Sequence, residues 1–247
     1  MSITPSQIRS LLLEVRQKFP PVLRSDFLDK DVFHVQLAYV PHGKLIDLGG
    51  GYSPMSAVLA RLGMDVTVVD TFASTKLYEQ FSARELCDIL QSFGVKLTQA
   101  DLRTYDAAAV FPPASVDVVA CFGTLFLFNP RVMLERSIGV LKPGGKLILE
   151  FNNGASLLRR TRLMLGRNNT DRFQDYFFHD WHTRFWVKRD VLRLAEHLKL
   201  SHHELLGRNW TLHESRKQLP TWVLSAADQT LRAVPDLCND IYLIGTK

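Results

Sequence analysis

The sequence lacks the features that mark secreted, membrane-spanning and disordered proteins. Only three of its 247 residues are cysteines, too few and too widely spaced for a disulfide framework or a zinc ligand set. The longest apolar run, 118–128, falls well short of the roughly 20 residues that a membrane span needs. The first residues show no basic segment followed by an apolar one, as a secretory signal would. These absences predict a cytoplasmic protein without a transmembrane segment.

The excess of positive over negative charge is also small, and it is concentrated in one segment. The formal net charge is +5, and residues 154–189 alone hold eight Lys and Arg against three Asp. Within this segment, 157–166 (LLRRTRLMLG) has the pattern of an amphipathic helix. Residues 157–172 are therefore a candidate for contact with an anionic membrane or a phosphorylated ligand, with a solvated surface helix as the alternative. Nucleic acid is disfavoured as a partner because no recognisable nucleic-acid module accompanies the basic residues.

Apolar periodicity predicts two helices followed by strands and helices in alternation. Thr4 and Pro5 begin the first helix, and a second covers about 31–40. From Lys44 onward, strands separated by helical patterns indicate an α/β fold with a doubly wound, mostly parallel sheet and helices on both faces. The predicted strands are 44–48, 65–69, 95–99, 116–121, 146–151, 201–206 and 240–244.

The first strand ends in a glycine loop, Gly49–Gly51, that leads into a helix capped by Ser53. Such a loop exposes backbone N–H groups and lets a ligand approach them closely. A phosphate-binding P-loop is excluded because no Gly-Lys-Ser/Thr follows the glycines. The dinucleotide pattern G-x-G-x-x-G has Pro54 in place of its third glycine. That argues against NAD but leaves a nicotinamide-dependent oxidoreductase open as an alternative.

The segment LIDLGGG at 45–51 resembles the first motif of class I S-adenosylmethionine-dependent methyltransferases. Asp70 ends the second strand, Asp101 and Leu102 follow the third, and LKPGGK at 141–146 precedes the fifth, all in the order of that family. The resemblance covers about 44–151 and, more weakly, the terminal strand pair. It implies a seven-stranded sheet whose last strand is antiparallel. It also implies an N-terminal helical cap at 1–43 and a cofactor-binding methyltransferase domain at 44–247, with an insertion at about 154–187.

The same resemblance implies S-adenosylmethionine as the cofactor. Asp47 would serve its amino end and the shape of the loop, the glycines would pass its methionyl chain, and Asp70 would accept hydrogen bonds from its ribose hydroxyls. Asp47, Asp70 and Asp101 also each have a purely structural interpretation. In that order, these are a buried carboxylate that accepts from loop amides, a strand-end cap and a turn residue. The predicted cofactor-binding residues are Asp47, Gly49, Gly50, Gly51, Asp70, Asp101, Leu102 and Cys121.

The exit of the fourth strand narrows the choice of methyl acceptor. It reads ACFGTLFLFN at 120–129 and lacks the Asn/Asp-Pro-Pro-aromatic motif that is common in enzymes methylating nucleobase amino groups. We therefore expect O-methylation of a small-molecule acceptor or of a glycan-type acceptor linked to a carrier or lipid. An RNA methyltransferase is the alternative within the same family.

The insertion contains seven aromatic residues in 173–186. Its HTRFW segment resembles a His-x-Arg-aromatic element of some bacterial methyltransferases. An imidazole can take a hydroxyl proton near neutral pH, so His182 is the candidate base and His179 the second. Packing of the insertion onto the body of the protein is the alternative, and no metal is predicted because a clear third ligand is missing. The predicted substrate-binding residues are Tyr176, Trp181 and Arg184.

Overall fold

The computed structural model describes residues 3–20, 28–72, 82–125, 129–166, 185–210 and 221–247. These residues contain the strands β1 (Lys44–Leu48), β2 (Asp65–Asp70), β3 (Lys96–Gln99), β4 (Val116–Cys121), β5 (Leu141–Asn152), β6 (His202–Arg208) and β7 (Asp240–Thr246). The strands form one sheet in the order β3-β2-β1-β4-β5-β7-β6. The sheet is mostly parallel, and β6 and β7 pair antiparallel. The predicted doubly wound α/β fold with an antiparallel last strand is confirmed.

Strand β1 lies between two parallel neighbours, which explains its apolar sequence. Asp47 is level with Val68 of β2 and Ala120 of β4. Every residue of β1 except Lys44 is buried, as expected for a strand covered on both faces of the sheet. Asp47 is thus a charged residue in an otherwise apolar, central strand.

Strand β5 begins earlier than the sequence predicts. The segment 141–145 has the composition of a turn, yet the strand starts at Leu141. A Cβ atom on Gly145 would lie 3.2 Å from the carbonyl oxygen of Asp117 on β4, so a glycine allows the close approach. The carboxylate of Asp117 also accepts hydrogen bonds from Lys142 Nζ at 2.7 Å and from the Lys44 N–H at 2.8 Å. These contacts outweigh the local turn signal.

The described residues contain the helices α1 (Pro5–Arg16), α2 (Leu28–Ala38), α3 (Pro54–Arg61), α4 (Ala83–Ser92), α5 (Arg131–Val140), α6 (Leu157–Met164), α7 (Lys188–His197) and α8 (Thr221–Leu231). Thr4 and Ser53 cap α1 and α3 as predicted, and Ser82 caps α4. Helix α7 differs because its cap position is Val187. Asp190, whose side chain makes it a candidate cap in the sequence, lies instead in the first turn, where its carboxylate interacts favourably with the positive end of the helix dipole.

The chain divides into two compact units, residues 1–122 with 131–148 and residues 123–130 with 149–247. In the first unit, α1 and α2 pack against α3, and Glu14 on α1 pairs with Arg61 on α3. The predicted boundary at residue 43 between a helical cap and the binding domain stays a prediction. Among the described helices, none is long and apolar enough to cross a membrane.

Candidate functional site

The carboxyl ends of four parallel strands meet at one edge of the sheet in the first unit. Strands β3, β2, β1 and β4 lie side by side in that order. In open α/β sheets, ligands bind in the crevice outside these ends. The edge carries the glycine loop after β1, Asp70 at the end of β2, Asp101 and Leu102 after β3, and Cys121 at the end of β4. The fold thus places all of the predicted cofactor-binding residues at one edge.

The glycine loop turns sharply because two of its residues adopt a left-handed backbone. Gly49 has φ 74° and Gly51 has φ 52°, a region that costs other residues about 1–2 kcal/mol. The Gly49 N–H donates to the carbonyl oxygen of Val69 at 2.7 Å, and the Gly51 N–H donates to Oδ2 of Asp70 at 3.1 Å. Helix α3 begins directly after the loop with Ser53 as its cap. The ends of β1 and β2 and the start of α3 therefore hold the loop in one conformation.

Asp47 is a fully buried carboxylic acid beside this loop. Ser56 Oγ donates to its Oδ2 at 2.7 Å, whereas its Oδ1 has no hydrogen-bond partner among the described residues. A Cβ atom on Gly50 would lie 2.3 Å from Oδ2, so the carboxylate occupies the space that a side chain would need. Burial raises the pKa of Asp47 to about 6. The hydrogen bond from Ser56 lowers this pKa by a smaller amount, and the negative charge of Asp70 raises it slightly further. A buried acceptor of this kind is stabilised by a cationic or hydrogen-donating ligand.

Asp70 connects the glycine loop to the chain that follows β2. Its Oδ2 accepts from Gly51, and its Oδ1 accepts from the Phe72 N–H at 3.0 Å and from Thr71 Oγ1 at 3.3 Å. Phe72 has φ 49°, an uncommon value for a residue with a side chain, and its carbonyl oxygen accepts from the buried Tyr52 hydroxyl at 3.0 Å. A carboxylate offers about four acceptor positions, so Asp70 can hold this turn and still accept from a ligand.

Asp101 is engaged by a neighbour. Its Oδ2 accepts from Arg103 Nε at 2.9 Å, and its Oδ1 accepts from the Arg103 backbone N–H at 2.9 Å. These hydrogen bonds with Arg103 lower the pKa of Asp101 below its ordinary value. A ligand that binds Asp101 must therefore share it with a guanidinium group. Leu102 is buried beside it.

The exit of β4 carries a pair of rings that the sequence pattern did not indicate. Cys121 is fully buried, and the next residue, Phe122, stacks on His34 of α2 with ring centroids 4.1 Å apart. His34 is itself buried, with 6% of its surface exposed. An imidazole on a helix otherwise patterned for the core gave no sequence signal, because only the fold brings α2 against the end of β4.

The predicted acceptor-side residues lie outside the described part of the chain. His179 and His182, proposed as bases, are among them. The same holds for Tyr176, Trp181 and Arg184. Among the described residues, no group of three or more metal-ligating side chains lies together.

The charges along this edge suit a cationic ligand without phosphate. Two carboxylates, Asp47 and Asp70, flank the loop, and residues 45–60 contain no lysine or arginine. A pyrophosphate at the loop would lie against these carboxylates, with no lysine or arginine of residues 45–60 to balance its charge. A ligand that carries an ammonium and a sulfonium would instead be attracted, and its ammonium could supply the hydrogen bond that the buried Oδ1 of Asp47 lacks among the described residues. The residues present therefore fit S-adenosylmethionine.

Comparison with known proteins agrees with this chemistry. Residues 46–149 match a family model described as a methyltransferase domain. A curated relative, the ubiquinone biosynthesis O-methyltransferase of Xanthomonas campestris pv. campestris, is 30% identical over an alignment of 129 residues, and the match covers 48% of this chain and 49% of that protein. The chain thus spans about half the length of the curated relatives it matches.

Solved structures share the fold over almost the whole chain. A methyltransferase of Thermotoga maritima, described as a possible histamine N-methyltransferase, is 16% identical with a TM-score of 0.61 and covers 97% of this chain and 98% of its own. Phosphoethanolamine N-methyltransferase 2 of Haemonchus contortus, in complex with phosphomonomethylethanolamine and S-adenosylhomocysteine, is 15% identical with a TM-score of 0.61. Its match covers 99% of this chain and 57% of its own. At such identities the likeness shows the fold alone.

Proposed function

We propose that the chain, whose residues 46–149 match a methyltransferase domain, is a class I S-adenosylmethionine-dependent methyltransferase that methylates an oxygen atom of a small-molecule or carrier-linked acceptor. The observation that carries the proposal is the pair of acids around the glycine loop, one of them buried with an open acceptor atom. The cofactor, S-adenosylmethionine, supplies an activated methyl carbon on a sulfonium when bound.

The residues at the strand ends would hold the donor. Asp47 accepts a hydrogen bond from its ammonium, and its ionised form balances the positive charge. Asp70 accepts from the ribose hydroxyls while it keeps the loop shaped through Gly51. Asp101 and Leu102 would flank the adenine, and the buried Cys121 would form the floor of the cofactor site at the end of β4. The chain's contribution to this half of the reaction is position and electrostatics.

Oxygen as the acceptor atom is supported by the name of the curated relative, an O-methyltransferase. A hydroxyl must lose its proton during transfer, and a neutral imidazole is the natural base near pH 7. We assign this role to His182, with His179 second. Tyr176, Trp181 and Arg184 would bind the acceptor, because aromatic rings exclude water and a guanidinium group binds anionic or carbonyl groups.

Two measurements test the proposal. Calorimetry with S-adenosylhomocysteine should show binding to the purified chain, and NAD and NADP should show none. A labelled methyl group should then pass to phenolic or sugar hydroxyls in a panel that also holds amines and total RNA. Label in amines or RNA would contradict oxygen as the acceptor, and binding of a nicotinamide nucleotide instead of S-adenosylhomocysteine would contradict methyl transfer itself.

Partners and location complete the proposal. Residues 157–172 are a candidate contact for an anionic membrane or a phosphorylated ligand because of their arginines. Methylation of RNA gains no specific support from the described residues. The cytoplasmic location predicted from the cysteine content stays a prediction.

A further inference from the structure

The outer end of α6 carries apolar side chains that the proposed methyl transfer does not use. Leu163, Met164 and Leu165 form what we call the α6 tip, and they are 55%, 87% and 65% exposed. Leu157, at the start of the helix, is 55% exposed. Half of the large apolar side chains that are exposed in the described residues therefore lie within 157–165. No residue of α6 is buried.

The start of the helix is anchored within the second unit. The side chain of Asn153 donates to the carbonyl oxygen of Cys238 at 2.7 Å and accepts from the Ala155 N–H at 2.9 Å. The guanidinium carbon of Arg159 lies 4.1 Å from the centre of the Phe185 ring, a cation–π contact. Contacts near its start thus hold the helix, and three of its exposed apolar side chains, those of the α6 tip, lie at its other end.

The charges on α6 are all positive. Arg159, Arg160 and Arg162 lie within the helix, and no acidic residue occurs between 151 and 170. Arg160 is exposed and lies three residues after Leu157 and four before Met164, spacings that place all three on one side of a helix. The exposed side of α6 therefore combines apolar groups with positive charge.

We propose that the α6 tip docks on an anionic phospholipid bilayer. Apolar side chains beside arginines on a helix at the surface are the combination that binds the headgroup region of such a bilayer. Lipid phosphates match the exposed Arg160, and the acyl boundary removes the Leu-Met-Leu cluster from water. A small phosphorylated ligand would match Arg160 but would leave the tip exposed. The bilayer accounts for both features, and the inference does not depend on the proposed methyl transfer.

Co-sedimentation of the full chain with lipid vesicles tests the proposal. The chain should bind vesicles of phosphatidylcholine mixed with phosphatidylglycerol, should bind pure phosphatidylcholine much more weakly, and should be released by salt. Arg160→Gln should weaken binding about fivefold, since one basic residue near an anionic surface contributes that much. Replacing both Leu163 and Met164 by Ser should weaken it about tenfold or more. Leu13→Ser on α1 and Arg193→Gln on α7 change similarly exposed residues and should leave binding unchanged.

Oxidation of methionine gives a second, site-specific measurement on the same samples. Met164 is the exposed methionine of the described part of the chain, and Met55, Met64 and Met133 are buried controls. Peroxide should oxidise Met164 first, and mixed vesicles should slow that oxidation while phosphatidylcholine alone does not. Failure of the folded wild-type chain to bind, or equal binding by the Leu163/Met164 variant, would overturn the proposal. So would complete release by inorganic phosphate at constant ionic strength, which would indicate a phosphate site instead.

Discussion

Replacing Asp47 by Asn should raise the stability of the chain relative to that of the wild type as the pH rises, and it should weaken cofactor binding. In the ligand-free protein, Asp47 is fully buried, and a single hydroxyl, that of Ser56, donates to its carboxylate among the described residues. Burial raises the pKa of Asp47 to about 6. Its ionised form is therefore the destabilised one, and a neutral amide of the same shape removes that cost.

The magnitude follows from the two pKa values. A rise from the ordinary 3.8 to about 6 corresponds to about 3 kcal/mol. Because the folded chain holds the proton more tightly than the unfolded chain, this stabilisation is fully present below pH 3.8 and is lost as the pH rises through about 6. About 2 kcal/mol of the loss falls between roughly pH 4.5 and 7.5. The new amide N–H group, placed where Oδ1 has no partner, costs about 1–3 kcal/mol at every pH.

Urea unfolding at several pH values measures this directly. The stability of Asp47→Asn minus that of the wild type should rise by about 2 kcal/mol across that pH range, whatever its starting value. Asp88→Asn, which changes an exposed carboxylate on α4, serves as the control and should give a smaller change. S-adenosylhomocysteine should bind the wild type more tightly as the pH rises through about 6, and this rise should be absent in Asp47→Asn. A difference in stability that does not vary with pH would refute the assignment of a buried, titrating Asp47.

Three further variants probe the loop and the acceptor side. Asp70→Ala should weaken binding of S-adenosylhomocysteine by about 1–3 kcal/mol in calorimetry, since the ligand and Gly51 both lose an acceptor; unchanged affinity would remove Asp70 from the site. Gly50→Ala should lower the melting temperature and abolish cofactor binding because its Cβ would lie 2.3 Å from Asp47 Oδ2. Gly139→Ala, where a Cβ meets nothing within 4 Å, should be neutral or stabilising, and equal effects would count against the close approach. His182→Ala should lower turnover in the labelled transfer assay with cofactor affinity retained; wild-type turnover would place the base elsewhere.

The parallel half of the fold could be predicted because its signals are local and strong. The strand 44–48 is a mostly apolar segment between a turn and a glycine loop, and its observed bounds are those predicted. The caps at Ser53 and Ser82 follow from side chains that bond within their own helix turn. The sequence predicts the start of β5 too late in the chain, because the close pairing at Gly145 depends on a residue of another strand. Such contacts leave no periodic trace in the sequence.

The candidate site likewise has features that the sequence predicts and features that it does not. Positions at strand ends follow from topology, so the sequence could place Asp47, Asp70 and Asp101 at one edge. The hydrogen-bond partners of each acid could not be predicted, because they depend on neighbouring residues that are distant in sequence or that give no sequence signal. Asp47 lacks a second hydrogen-bond partner in the described structure, whereas Asp101 is occupied by Arg103. The stacking of His34 on Phe122 likewise needs the three-dimensional arrangement.

Docking of α6 would bear on which acceptors the chain can reach. The helix begins shortly after the end of β5, so a bilayer bound at the α6 tip would lie close to that part of the second unit. Acceptors attached to a lipid are concentrated in the bilayer, and a docked enzyme gains effective concentration for them without any new contact to their reacting groups. Vesicles should therefore accelerate methylation of a lipid-linked acceptor and leave that of a water-soluble analogue unchanged. Equal acceleration of both would mean that the bilayer acts on the enzyme itself and not on access to the acceptor.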